Sequence, residues 1–197
     1  IAERKRISSP IYVSRNLPIS NVLDGVLLGS IGLPDLQRPF VWKNDKVRDL
    51  LDSMLRGYPI GYIMLWDSPN DLETKSQHIG TNEKAYAAPK SLVIDGQQRL
   101  TALLASLYGV EVKDKNYNTR KIRIAYDPLT RVFKNADATT DRDSRFVSSV
   151  ADVFSAKKEN RLRSFRREFS SVLNESKEKK GETPLTDEEL DAIDNGL

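Results

Sequence analysis

The chain has 197 residues, 39% hydrophobic and 30% charged, with 31 Lys or Arg against 28 Asp or Glu and a net charge of +3. That length suits one large or two small domains and suffices to bury a core without covalent staples. With no Cys and one His (His78), disulfides, thiolate zinc sites, cysteine nucleophiles, HExxH zincins and HNH nuclease centres are all excluded. The pI of about 9.0 permits contact with nucleic acid or nucleotides without amounting to a dedicated basic arm. No apolar run approaches the roughly 18 residues of a membrane span and no signal-peptide pattern opens the chain, so a cytoplasmic protein with no membrane partner is expected.

The basic, unpatterned stretch 1–18 reads as a flexible lead-in, trimmed at Ile1. Ile19, Val22, Leu23, Val26 and Leu27 then follow the spacing of an amphipathic helix, with Ser20 or Asn21 as its cap and Gly29 as its end. Ile31–Leu33 reads as a short strand broken by Pro34. Asn44 is the expected N-cap of a second helix with the stripe Val47, Leu50, Leu51, Met54 and Leu55, stopped by Gly57 and Pro59. Ile60–Trp66 is short and uniformly apolar, which predicts a buried strand, and the polar stretch 67–90 reads as an insertion loop. Leu92–Ile94 is a further buried strand, and Leu100, Leu103, Leu104, Leu107 and Tyr108 form a third helical stripe closed by Gly109.

Ile122–Tyr126 alternates as a half-buried strand does, with Arg131–Lys134 as its partner across Asp127-Pro128. Residues 157–180 are rich in Lys and Arg, and Leu162, Phe165, Phe169, Val172 and Leu173 give them one narrow apolar stripe. This predicts a charged helix whose basic face is solvated, with nucleic-acid contact as the alternative. Thr186 and Glu189 form a capping-box pattern at the start of a last helix. That helix runs only about three turns before Leu197, as in a piece of a longer chain.

The densest candidate for chemistry is Asp95-Gly96-Gln97-Gln98-Arg99, at a strand-to-helix junction where ligands often bind. The amides of Gly96, Gln97 and Gln98 would be donors of the helix start, which favour anions, and Gly96 would let a ligand approach the backbone. A purely structural reading stands beside this one: Asp95 as N-cap, Gln98 as its capping-box partner and Arg99 as a surface residue. The second candidate, Asp35 to Trp42, sets Gln37 and Arg38 beside Phe40 and Trp42 on a Pro-stiffened loop. Its structural reading packs the two aromatics into the core. No Walker loop and no dinucleotide fingerprint is present, and a Ser-His-Asp triad would have to recruit His78 from a polar loop.

Three segments taken together, Gln37-Arg38-Pro39-Phe40-Val41-Trp42, Leu50 to Gly61 and Asp95-Gly96-Gln97-Gln98-Arg99-Leu100-Thr101, resemble the N-terminal domain of GmrSD-type restriction proteins. The resemblance implies a ParB/sulfiredoxin-like α/β (α+β) fold, a small mixed sheet flanked by helices and followed by a helical C-terminal part. The expected division is a nucleotide-binding sensor domain over 19–140 and a charged helical segment over 141–197. The resemblance further implies hydrolysis of a nucleoside triphosphate (NTP) coupled to sensing of modified DNA, with cleavage by a separate HNH nuclease domain or subunit. Carried onto this sequence, Asp95, Gln97, Gln98 and Arg99 would form the catalytic set, and Gln37, Arg38, Gly96 and Thr101 would bind the nucleotide. Mg²⁺ or a similar ion would sit between Asp95 and the phosphates, since two anions otherwise repel. The partners implied are DNA, the nuclease and possible further copies of the chain. The rival readings are a ParB-like DNA-binding module without hydrolysis, and a scaffold that docks the nuclease.

Overall fold

The computed structural model describes residues 12–34, 39–67, 76–77 and 89–197. The expectations for 1–11, for Gln37 and Arg38 and for His78 lie outside the described residues.

Apolar spacing places the first two helices. In α1 (Ile19–Leu27), Val22 and Leu23 are buried, and Gly29 ends the helix at φ +78°. Its start differs from expectation, because Pro18 is the cap residue and its carbonyl accepts the Asn21 amide at 3.0 Å. Ser20 and Asn21 are therefore already helical, a place the fixed φ of proline prepares. In α2 (Asn44–Leu55), Val47, Leu50 and Leu51 are buried; Lys43 rather than Asn44 is the cap residue, and no side chain caps the helix.

The strands β1 (Ile31–Pro34), β2 (Met64–Asp67), β3 (Ser76–Gln77) and β4 (Ser91–Asp95) form one mixed sheet in the order β2-β4-β1-β3. β4 runs parallel to β1 and antiparallel to β2, and β3 pairs antiparallel with β1. This corrects the expectation of a buried strand over Ile60–Trp66. Pairing begins only at Met64, β2 is an edge strand, and Tyr62, Met64 and Trp66 are exposed. An apolar run marks a strand buried on both faces only when other layers cover both faces. Ile94, expected inside, is likewise exposed.

The centre of the core is α3 (Gln97–Leu107), in which every residue from Leu100 to Leu107 is buried. Ser106 satisfies its buried hydroxyl by donating to the Ala102 carbonyl at 2.7 Å. Around it pack Leu23, Leu33, Val47, Leu51 and Val93 from the preceding elements. The pairs β5 (Val112–Lys113) with β6 (Thr119–Arg120), and β7 (Ile124–Asp127) with β8 (Val132–Asn135), complete the mixed α+β architecture. The second pair is the expected hairpin, but β7 is buried throughout rather than on alternate residues.

The charged C-terminal stretch is two helices, not one: α4 (Val150–Lys158) and α5 (Leu162–Lys179), parted at Asn160, whose φ is +56°. Asn tolerates that left-handed conformation better than most residues. Val150 and Phe154 of α4 join the main core, while Leu173, Leu185 and Ile193 make a small core of their own with α6 (Asp187–Gly196). The expected capping box is present: Glu189 N–H donates to Thr186 Oγ1 at 3.2 Å, and Thr186 N–H to Glu189 Oε2 at 2.9 Å. The Thr186 amide, followed by Lys177, holds the Glu189 carboxyl below its usual range. Among the described residues no helix is long and apolar enough to cross a membrane.

Candidate functional site

At the end of β4 the chain turns sharply into α3. The turn is made by Gly96, with φ +89° and ψ 7°, and among the described residues no side chain caps the helix. Asp95 is thus the last strand residue rather than the N-cap, and the capping box imagined for Asp95 and Gln98 does not form. A left-handed residue at this point favours glycine on backbone grounds. Space demands it too, since a Cβ on Gly96 would lie 3.1 Å from both Ile63 Cα and Tyr62 O. The segment 60–63 therefore presses directly on the turn.

Arg99 fastens that segment. Its Nη1 donates to the Ile60 carbonyl at 2.6 Å. The guanidinium passes so close to Gly61 that a Cβ there would sit 2.1 Å from Nη1. Nη2 faces Asp95 Oδ2 at 3.5 Å, one helical turn away, with the Arg99 side chain 21% exposed and that of Asp95 71%. Arg99 is thus no free surface residue. One edge of its fork is committed to backbone, and the other is shared with a carboxylate open to solvent.

Gln98 does the same on the opposite flank. Its Oε1 accepts the Val41 amide at 3.1 Å and its Nε2 donates to the Pro39 carbonyl at 3.2 Å. One carboxamide thereby meets a backbone donor and a backbone acceptor, as a neighbouring strand would. The loop is held from its other side as well. Phe40 is buried, its amide donates to the Lys113 carbonyl at 3.1 Å, and the Arg120 guanidinium lies 5.5 Å from its ring centre. The structural reading of this loop holds for Phe40, which is in the core, and for Trp42, which packs against it.

The remaining expected residues divide. Gln97 is half-buried at the first turn of α3, and its amide makes no hydrogen bond among the described residues. Thr101 lies one turn further in and is buried at 7%. The structure thus gathers Asp95, Gly96, Gln97, Gln98 and Arg99 around one uncapped helix start. The residues that sequence reasoning missed are Ile60 and Gly61, which receive Arg99. Their signal was Gly61 itself, a glycine inside an apolar run and therefore a place of close approach.

An open cleft of about 700 Å³ lies elsewhere, between the β7–β8 turn and α5. Two ion pairs line it, Arg145 with Asp143 and Lys177 with Glu189. It offers nothing comparable to the junction. No group of three or more His, Cys, Asp or Glu side chains among the described residues could hold a metal ion by itself. Asp95 alone fits a cation whose other ligands come from a bound phosphate and water, the usual habit of Mg²⁺.

No solved structure matches the chain. An uncharacterized protein of Methanocaldococcus jannaschii is 33% identical over 94 residues, which cover 45% of this chain and 16% of that protein. The chain therefore matches only a small part of that relative's length. The family model described as "GmrSD restriction endonuclease, N-terminal domain" matches residues 19–195, from the start of α1 through the sheet and the junction into α6. The chain belongs to the family of GmrSD restriction endonuclease N-terminal domains.

Proposed function

We propose that the β4–α3 junction binds a nucleoside triphosphate, and that the domain couples its hydrolysis to the sensing of modified DNA within a restriction system. Strand cleavage falls to a separate HNH nuclease domain or subunit, because this chain has a single His and no Cys. The observation that carries the reading is the helix start itself: without a side-chain cap among the described residues, reached through a glycine at φ +89°, and bordered by the exposed carboxylate of Asp95. Such a start favours phosphate through its amides and the helix dipole.

Hydrolysis transfers the terminal phosphoryl group to water. The water oxygen bonds to phosphorus, the bond to the bridging oxygen breaks, and nucleoside diphosphate and phosphate leave. Positioning and charge do most of this work. Gln97, whose amide lacks a partner among the described residues, orients the water. The Arg99 edge that faces Asp95 supports the phosphates, and Arg38 is the second cation. Gln98 holds the loop that follows Gln37 and Arg38. Asp95 would hold Mg²⁺, which neutralises phosphate charge when bound. Phosphate release by the purified chain with Mg²⁺ and each NTP is the test. Asp95→Asn should lower the rate by about a hundredfold or more with little change in melting temperature, since its side chain is 71% exposed. Unchanged release from this variant would remove Asp95 from the site.

A further inference from the structure

The break at Asn160 concentrates charge. Residues 157–167 hold Lys157, Lys158, Arg161, Arg163, Arg166 and Arg167 against the single acid Glu159, whereas the whole chain is only +3. The rest of the molecule is therefore net acidic. Within this corner Arg161 is matched, its Nε donating to Glu159 at 2.8 Å. Lys158 lies over the Tyr108 ring, 5.4 Å from its centre. Arg163, Arg166 and Arg167 are different: none makes an ion pair or hydrogen bond among the described residues.

Their spacing of three and four residues sets them beside one another on α5, roughly 5–6 Å apart at Cβ, where like charges repel. They also lie towards the N-terminal end of α5, whose first turn holds no acidic residue, and cations are disfavoured at that end. Arg163 and Arg167 are exposed, and Arg166 is half-buried with its Nε unpartnered. A polyanion with regularly spaced charges would convert each of these costs into attraction.

We infer that Arg163, Arg166 and Arg167 form a surface that takes the phosphate backbone of double-stranded DNA. The contact is electrostatic and independent of sequence, so it holds the domain on a duplex while recognition happens elsewhere. The inference rests on the proposed DNA-sensing role, but not on nucleotide hydrolysis.

The test is affinity of the chain for a short labelled, unmodified DNA duplex across a salt series. Each phosphate contact contributes roughly 0.9 to the slope of log affinity against log salt. Replacing all three arginines with Gln should lower the slope by roughly 2.7, and Arg163→Gln with Arg167→Gln alone by roughly 1.8. The double variant leaves half-buried Arg166 in place, and melting curves confirm that both variants fold. Lys115→Gln, on the β5–β6 turn, should leave the slope unchanged. Phosphate release without DNA should match the wild type in every variant. An unchanged slope in the double and triple variants overturns the inference, as does a wild-type chain with no salt-dependent affinity for DNA. So does a loss confined to poly-glutamate, which would mark an acidic protein partner instead. In each of these cases intact phosphate release leaves the junction's proposed activity standing.

Discussion

The motif at the β4–α3 junction and the arginine face of α5 use the same kind of side chain in opposite ways. At the junction Arg99 is 21% exposed, bound to the Ile60 carbonyl and opposed by Asp95. On α5 three arginines share a face, and none of their side chains makes an ion pair or hydrogen bond among the described residues. A charge with protein partners has a structural duty, so its loss disturbs the fold whatever else it does. A charge without them has none, and its presence calls for a partner outside the chain. The same substitution should therefore carry different signs of stability change in the two places.

The largest effect is expected where the junction is tightest. Gly96→Ala forces a left-handed non-glycine residue and sets its Cβ 3.1 Å from backbone atoms of residues 62 and 63. The cost should be about 3 kcal/mol, a fall of about 6–12 °C in melting temperature for a chain of this size. A melting point equal to that of the wild type would mean that segment 60–63 does not press on the turn. Arg99→Ala comes next, because it strands the Ile60 carbonyl and removes a charge-assisted hydrogen bond worth about 1.5–3 kcal/mol. Arg99→Lys should recover most of that stability while losing the two-pronged geometry that phosphate needs. Calorimetry beside phosphate release separates the two duties. If Arg99→Ala melts like the wild type, the contrast between the two regions collapses. The smallest effect is also the most telling in sign: Arg163→Glu with Arg167→Glu should raise stability by about 0.5 kcal/mol, since it relieves repulsion and suits the helix dipole. Destabilisation there would reveal a structural duty for the pair.

Much of this could be read from the residues alone. The stripes of α1, α2 and α3 fixed those helices, because burying one face of a helix leaves a periodic trace. The capping box at Thr186 is a local exchange of two hydrogen bonds, so four residues suffice to announce it. The junction was legible as a polar break between two apolar runs. Edge position was not legible. Met64 and Trp66 look like core residues, and only the sheet order leaves β2 without a neighbour on one side. Nor was the break at Asn160, since the apolar stripe resumes on the far side of one left-handed residue. The duties of Gln98 and Arg99 lay further out of reach. Both depend on backbone groups some 40 to 60 positions away in sequence, and no local pattern encodes such a pairing.

The Gln98 clamp makes a distant backbone group answer to a single side chain. Val41 carries its own side chain in solvent, 57% exposed, and its amide is donated to Gln98 Oε1. In an ordinary loop that proton would trade with water freely; here its exchange is slowed for as long as the carboxamide stays in place. The Val41 amide is consequently a built-in reporter, visible by hydrogen exchange, of whether the first turn of α3 and the loop after Arg38 move as one body or part when a ligand arrives.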